Sequence, residues 1–360
     1  MKLVIQNRLN TINVKEYFLT LILILSSGCI ENFNYHPGSD DSGLLVIDGG
    51  MTNLPVKQFL KLTRSTAYGT TSFVPDTGDS VTVFENGKEA DICTEISPGI
   101  YQIDGDEINP QPGNSYFIKI SLQNGKHYIS EPEIMPWPVK PDRAGYEMDK
   151  GMEINDLGYF VEHWMINVYV NTPVKAGDRP AFLRWRVPET FSIREMGSGP
   201  LAHPKTCYAT RNLTSTDIVL FDGGNLSGGE LKHQLIYRRE PKPDVEFINV
   251  HYFNIYQYSI TRAAYVYWNK LKIVSNPTGS FLDTNPGVVT GNVYNIHDRQ
   301  ETVLGYFEVS SVEIVHLKCV PSSLLPYHVH DPCADYPFPS FCLECLDSLL
   351  NSSLDRPSYW

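Results

Sequence analysis

Two Asn-Gly pairs, Asn86-Gly87 and Asn124-Gly125, each sit between short strand-like runs. Both residue types tolerate positive φ, which makes the pair the strongest short hairpin signal. The surrounding runs are LLVIDG (44–49), FLKLTRS (59–65), SVTVFENGK (80–88), GIYQID (99–104) and YFIKISLQNGKHYISEP (116–132). In YFIKISL the apolar residues alternate with Lys119 and Ser121, giving one buried and one wet face. Roughly seven short strands in about 95 residues predict an immunoglobulin-like sandwich over 43–138.

The next segment, Met135-Pro136-Trp137-Pro138-Val139-Lys140-Pro141, cannot continue a sheet interior, and it reads as a stiff linker. Residues 143–318 then predict a second, larger β-rich domain. Its strand candidates include WMINVYVN (164–171), AFLRWRV (181–187), DIVLFD (217–222), HQLIYRRE (233–240), VEFINVHYFNIYQYS (245–259) and LGYFEVSSVEIVHL (304–317). One amphipathic helix interrupts it near 262–275, with Thr261 as N-cap and Ala264, Trp268, Leu271 and Ser275 along one stripe. Trp268 reads as a core residue. The tail, 319–360, is rich in Pro, Ser and Cys, and its expected restraint is disulfide bonding rather than a core.

The first 28 residues differ from all of this. Lys2, Arg8 and Lys15 form a positive n-region, YFLTLILIL (17–25) is an apolar run too short to span a bilayer, and Ser26-Ser27-Gly28 precede Cys29. The pattern resembles a lipobox, although Ser26 stands where Leu is usual. It predicts a lipoprotein signal peptide over 1–28, lipid on Cys29 and a polar tether over 29–42. Several acyl chains would then hold the protein stably on a membrane.

The chain carries 29 basic and 41 acidic residues, a formal charge of −12. Losing Lys2, Arg8, Lys15 and Glu16 with the signal leaves −14. With no Lys/Arg cluster, this balance excludes nucleic acid as an expected partner.

No G-x-S-x-G, H-E-x-x-H, P-loop or G-x-G-x-x-G pattern occurs, so no catalytic residue, cofactor or metal is expected. Asp104, Asp106 and Glu107 lack full calcium-loop spacing and read as a solvated turn. His328, His330, Cys342 and Cys345 offer ligand types for zinc, but thiols of an exported chain tend to oxidise first. Cys207, Cys319, Cys333, Cys342 and Cys345 are therefore candidate disulfide partners, in a pairing the sequence leaves open, and Cys93 is a bridge or a buried thiol. Arg184 and Arg186 flank Trp185. They form either a cation–π or carboxylate-binding face, or the exposed side of a strand with Trp185 in the core.

Several blocks together resemble one family. They are LLVIDGGMT (44–52), LKLTRSTAYG (60–69), SPGIYQ (97–102), YISEPEIMP (128–136), FLRWRVPET (182–190), YQYSITRAAYVYWNKLK (256–272), TGSFLDTNPGVVTGNVYNIHD (278–298) and VLGYFEVSSV (303–312). A Cys-x-x-Cys and a terminal Pro357-Ser358-Tyr359-Trp360 follow. The chain resembles the Bacteroidota lipoproteins catalogued as domain of unknown function 4249. It departs after Cys345, where LDSLLNSSLD replaces the family's Arg and Gly-Gly-Thr turn. The resemblance implies an outer-membrane lipoprotein, periplasmic or surface-facing, that assists a TonB-dependent transporter. It carries over no catalytic residues. The functional expectation is a non-enzymatic accessory or ligand-capturing partner of such a transporter. The alternatives are a stand-alone surface glycan- or peptide-binding module and, less favoured, a hydrolase.

Overall fold

A computed structural model describes residues 43–66, 73–154, 157–196, 203–211, 218–241, 245–275, 288–320, 331–334 and 336–360. Cys29, the signal peptide, the tether, His328, His330 and residues 278–287 of the 278–298 block lie outside the described residues. The strands used below are, in chain order, β1 (Leu45–Thr52), β2 (Gln58–Arg64), β3 (Ser80–Glu85), β4 (Ile100–Ile103), β5 (Ser115–Ser121), β6 (His127–Ser130), β7 (Arg143–Ile154) and β8 (Phe160–Pro173). They continue with β9 (Phe182–Arg186), β10 (Glu189–Arg194), β11 (Thr206–Arg211), β12 (Glu230–Arg239), β13 (His251–Ser259) and β14 (Leu304–Cys319), with helix α1 (Arg262–Ser275) between the last two. The chain is mainly β.

The alternation in the first 100 described residues produces two facing sheets. β1, β2 and β4 lie in one, and β3, β5 and β6 in the other. Their inward residues, among them Ile47, Leu60, Leu62, Val83, Ile118 and Ile120, are fully buried in a shared core. Each such side chain contributes about 1.5–3 kcal/mol by leaving water. The sandwich is not closed by residues 43–138 alone. Val293–Asn295 pairs with β6, and β14 runs parallel to β1 from Val46↔Leu304 to Thr52↔Ser310, bringing Phe307 and Val309 into the core.

From Ser311 onward the same strand pairs antiparallel with β13, as far as His251↔Cys319. One 16-residue strand therefore belongs to both halves and joins them in a 12-stranded sheet. The proline-rich segment is inlaid between the halves rather than acting as a free spacer. Met135 is buried in the first core and Val139 in the second. The Val139 N–H donates to Ser259 Oγ at 3.0 Å, and its carbonyl accepts from Gln257 Nε2 at 2.7 Å. Residues 42–360 form a single contact unit.

Helix α1 begins where Thr261 caps it, with Thr261 Oγ1 accepting the Ala264 N–H at 3.0 Å. Ala264 is fully buried, and Tyr267 and Trp268 pack against a small core of Ile260, Ala264 and Tyr306. The Thr261 hydroxyl also donates to buried Glu133 at 2.7 Å. Thr261→Ala removes both bonds and is expected to cost about 1–2 kcal/mol, measured as a lower urea midpoint at unchanged m-value. Among the described residues, no helix is long and apolar enough to cross a membrane.

The tail is held by more than disulfides. Tyr359 stacks on His316 at 3.7 Å, and Trp360 packs against Tyr208 and Tyr252. Ser352–Ser353 adds a short strand to β11.

Candidate functional site

Side chains alternate sides along a strand, so Arg184 and Arg186 leave one face of β9 while Trp185 enters the core. Trp185 is 4% exposed, and its Nε1 donates to Gln257 Oε1 at 2.8 Å. The β9–β13 register sets Tyr258 opposite Arg184, and α1 brings Trp268 to the guanidinium as well. The guanidinium carbon lies 4.3 Å from the Tyr258 ring centre and 4.4 Å from that of Trp268. Contacts of this kind, partly desolvated, are worth about 0.5–2 kcal/mol each.

Glu308, on β14, completes the arrangement. Its Oε1 accepts from Arg184 Nη2 at 2.8 Å and from the Ser310 hydroxyl at 3.0 Å, and its Oε2 accepts from Trp268 Nε1 at 2.5 Å. Around this group opens a cleft of about 400 Å³, also walled by Asp48, Gly50, Tyr267 and Tyr306. Gly50 is required at that wall, because a Cβ there would collide with the Glu308 carbonyl oxygen. Burial, together with the charges of Asp48 and Glu308, pushes the Tyr267 phenol up to about 12, so it stays protonated at neutral pH. The two readings of the Arg–Trp–Arg run thus divide by residue. Trp185 is core, while Arg184 makes the cation–π and carboxylate contacts. Trp268, expected in the core, is half-buried and lines the cleft.

A second cavity of about 460 Å³ has mostly apolar walls, including Met135, Trp137, Pro180 and Phe182, with Glu133 among them. Glu133 is 6% exposed and accepts from the Tyr306 hydroxyl, the Thr261 hydroxyl and the Val309 N–H. It therefore ties a wall of the first cleft to the cap of the helix that carries Trp268. Burial pushes its carboxyl up to about 7, against the pull of those three donors. The folded chain holds this proton more tightly than the unfolded chain, whose Glu titrates near 4.5. The contribution to stability is therefore highest below pH 4.5 and is lost as pH rises from there through 7, by about 3 kcal/mol in all. Urea titrations between pH 5 and 8 should show this slope, and Glu133→Gln should flatten it.

Behind the cleft, Tyr237 donates to Glu189 Oε1 at 2.6 Å and leads into a buried charged cluster. His251 Nε2 lies 2.7 Å from Glu189 Oε2, and Arg239 reaches Glu189 at 3.2 Å and Glu246 at 2.8 Å. Burial alone would raise the Glu189 carboxyl. The His251 hydrogen bond and the charges of His251 and Arg239 overcome it and hold the group below its usual range.

The cysteines resolve differently from their spacing. Cys207 is bonded to Cys345 and Cys333 to Cys342, so the Cys-x-x-Cys is divided between two bridges. Cys319 corrects the expectation that it joins a disulfide. It is a free thiol, fully buried in the second core, and burial pushes it up to about 12. Its position opposite His251 on the inner side of the sheet keeps it from the other thiols. Cys93 is likewise free and buried. Among the described residues, one group has metal-ligand spacing, Glu195 with Cys207 and Cys345, and its two sulfurs are bonded to each other. Asp104 caps the four-residue helix Gly105–Ile108 by accepting the Glu107 N–H at 3.3 Å, so this acidic group is a capped turn.

Of the cleft's lining residues, Arg184 and Arg186 are the candidate binding residues that local pattern points to. Tyr258, Glu308 and Asp48 carry no motif; they meet Arg184 and Trp268 only through strand order. No curated protein and no solved structure matches the chain. A family profile described as domain of unknown function (DUF4249) matches residues 30–314, a span that includes every wall of the cleft. With most of its length matched in this way, the chain belongs to that family.

Proposed function

We propose that this protein is a non-enzymatic capture protein of the cell envelope, held by lipid on Cys29, that binds a small ligand in the Arg184 cleft and passes it to a TonB-dependent outer-membrane transporter. The observation that carries the reading is the cleft itself. It is concave, of ligand size, rich in aromatic walls, and holds a few fixed polar groups, which is the usual make-up of a small-molecule site. The anchor supports it from the sequence side, because lipid on Cys29 would keep the cleft at a membrane. Arg184 and Glu308 are paired through a single contact at 2.8 Å, and the Ser121–His127 pair, at 2.9 Å, lies outside both cavities.

The test is recovery from the membrane. Affinity purification of the full lipoprotein from detergent-solubilised outer membrane should bring down a TonB-dependent transporter, and labelling with palmitate should disappear in Cys29→Ser. Recovery of the protein alone, under conditions that keep known transporter complexes together, would count against the partnership.

One observation favours the alternative of a stand-alone surface-binding module. The end of the β7–β8 hairpin exposes Met152, Ile154 and Phe160 at 64%, 63% and 71%, and the register Ile154↔Phe160 puts these three on one face. Exposed apolar groups gathered in this way mark interaction surfaces. If this reading holds, Phe160→Asp abolishes surface binding while leaving small-ligand binding unchanged.

A further inference from the structure

Arg184 is fixed in place but not fully used. Two aromatic rings pack against it, with centres at 4.3 and 4.4 Å, and Glu308 takes a single N–H, that of Nη2. A bidentate pairing would have consumed the fork. Here the other carboxylate oxygen belongs to Trp268 instead. Nε is buried and has no acceptor, and among the described residues Nη1 finds none either. Buried donors are paired in the great majority of cases, so an unpaired one calls for an acceptor. Arg186 emerges two residues along on the same face, is exposed, and is paired with no carboxylate among the described residues. The β9 wall of the cleft therefore presents two guanidinium groups against one internal carboxylate contact. Asp48, the other acidic group in the lining, comes from β1.

We infer that the cleft recognises its ligand through a carboxylate, docked on Nη1 of Arg184, the terminal nitrogen that Glu308 leaves free, and supported by Arg186. Guanidinium is the side-chain group best matched to a planar carboxylate, and one already clamped by rings loses little entropy on binding. The Asp48 carboxylate then suits a hydroxyl or ammonium donor elsewhere on the same ligand. The ligand class is a compact acid with hydrogen-bond donors, a chemistry shared by uronic-acid sugars, hydroxy-polycarboxylates and short acidic peptides. This inference rests on the capture reading above.

The test is a fluorescence and calorimetric titration of the full mature chain with trigalacturonate, citrate and triglutamate, with maltotriose as the neutral probe. At least one acid should bind at least tenfold more tightly than maltotriose, more weakly as salt is raised. Arg184→Gln should weaken it by tenfold to a hundredfold. Arg186→Gln, at an exposed position, should weaken it by a smaller factor and serves if the Arg184 variant does not fold. Equal or tighter binding of maltotriose would overturn the carboxylate inference and leave capture standing. Binding of none of the three acids would also overturn it, while transporter recovery would still decide the capture reading separately.

Discussion

Arg239→Met should lower the stability of the folded chain by about 3–5 kcal/mol. Arg239 is the hub of the cluster behind the cleft, bonded at once to Glu189 and Glu246, two carboxylates each 1% exposed at the side chain. A buried ion pair adds little net stability while intact, because desolvation offsets the attraction. Removing one partner strands the other charge in a low dielectric, and the loss is then large. His251 would still face Glu189, but Glu246 would lose its Arg239 pair, and the Arg211 side chain it also meets is nearly half exposed. Urea denaturation at pH 7 measures the loss. The comparison is Arg299→Met, whose pair with Glu131 spans 4.0 Å with both side chains exposed, and which should change stability by less than about 0.5 kcal/mol. Similar effects from the two substitutions would mean that the cluster is not buried as described.

Reduction of the Cys207–Cys345 bridge is the second large effect. Its partners are 138 residues apart, and closing so long a loop removes much unfolded-state entropy. The chain-entropy account gives about 5 kcal/mol for it, against about 3 kcal/mol for Cys333–Cys342, whose partners are nine apart. Cys207→Ser with Cys345→Ser should therefore lower the midpoint far more than Cys333→Ser with Cys342→Ser. The first pair should also loosen the packing of Tyr359 and Trp360 on the sheet, seen as faster amide exchange at the C-terminus. Equal losses from the two double variants would remove loop length as the cause.

How much of this is legible in the sequence depends on how local the cause is. Asn86-Gly87 makes the expected tight turn with both residues at positive φ. At Asn124-Gly125 only the glycine has positive φ, because a longer loop closes between Leu122 and Lys126 and the Asn124 side chain accepts the Lys126 N–H instead. Helix α1 is legible, since its cap and its stripe lie within one segment. Strand β7 is not. It lies at the edge of its sheet, and RAGYEMDKGMEI shows no clean alternation. VEFINV, read as strand, begins instead as a short turn at Val245–Phe247 that positions Glu246 for Arg239.

The site was least legible, because its parts are far apart in sequence. Arg184 and Glu308 are 124 residues apart and meet because β13 lies between their strands in the sheet. The divided Cys-x-x-Cys has the same origin: Cys345 pairs with Cys207 on β11, a strand that no spacing rule connects to the tail. Arg184 and Arg186 are the exception. The Arg–Trp–Arg alternation already separated a core position from a facing pair, although it did not say what the pair would face.

The central claim, capture of a small ligand in the Arg184 cleft, is tested most directly by native mass spectrometry of the mature chain after incubation with a low-molecular-weight envelope extract. The account predicts a bound species at up to one per chain on the wild type and a tenfold or greater loss of it on Arg184→Gln. Equal adducts on both proteins, or none on either, would contradict it.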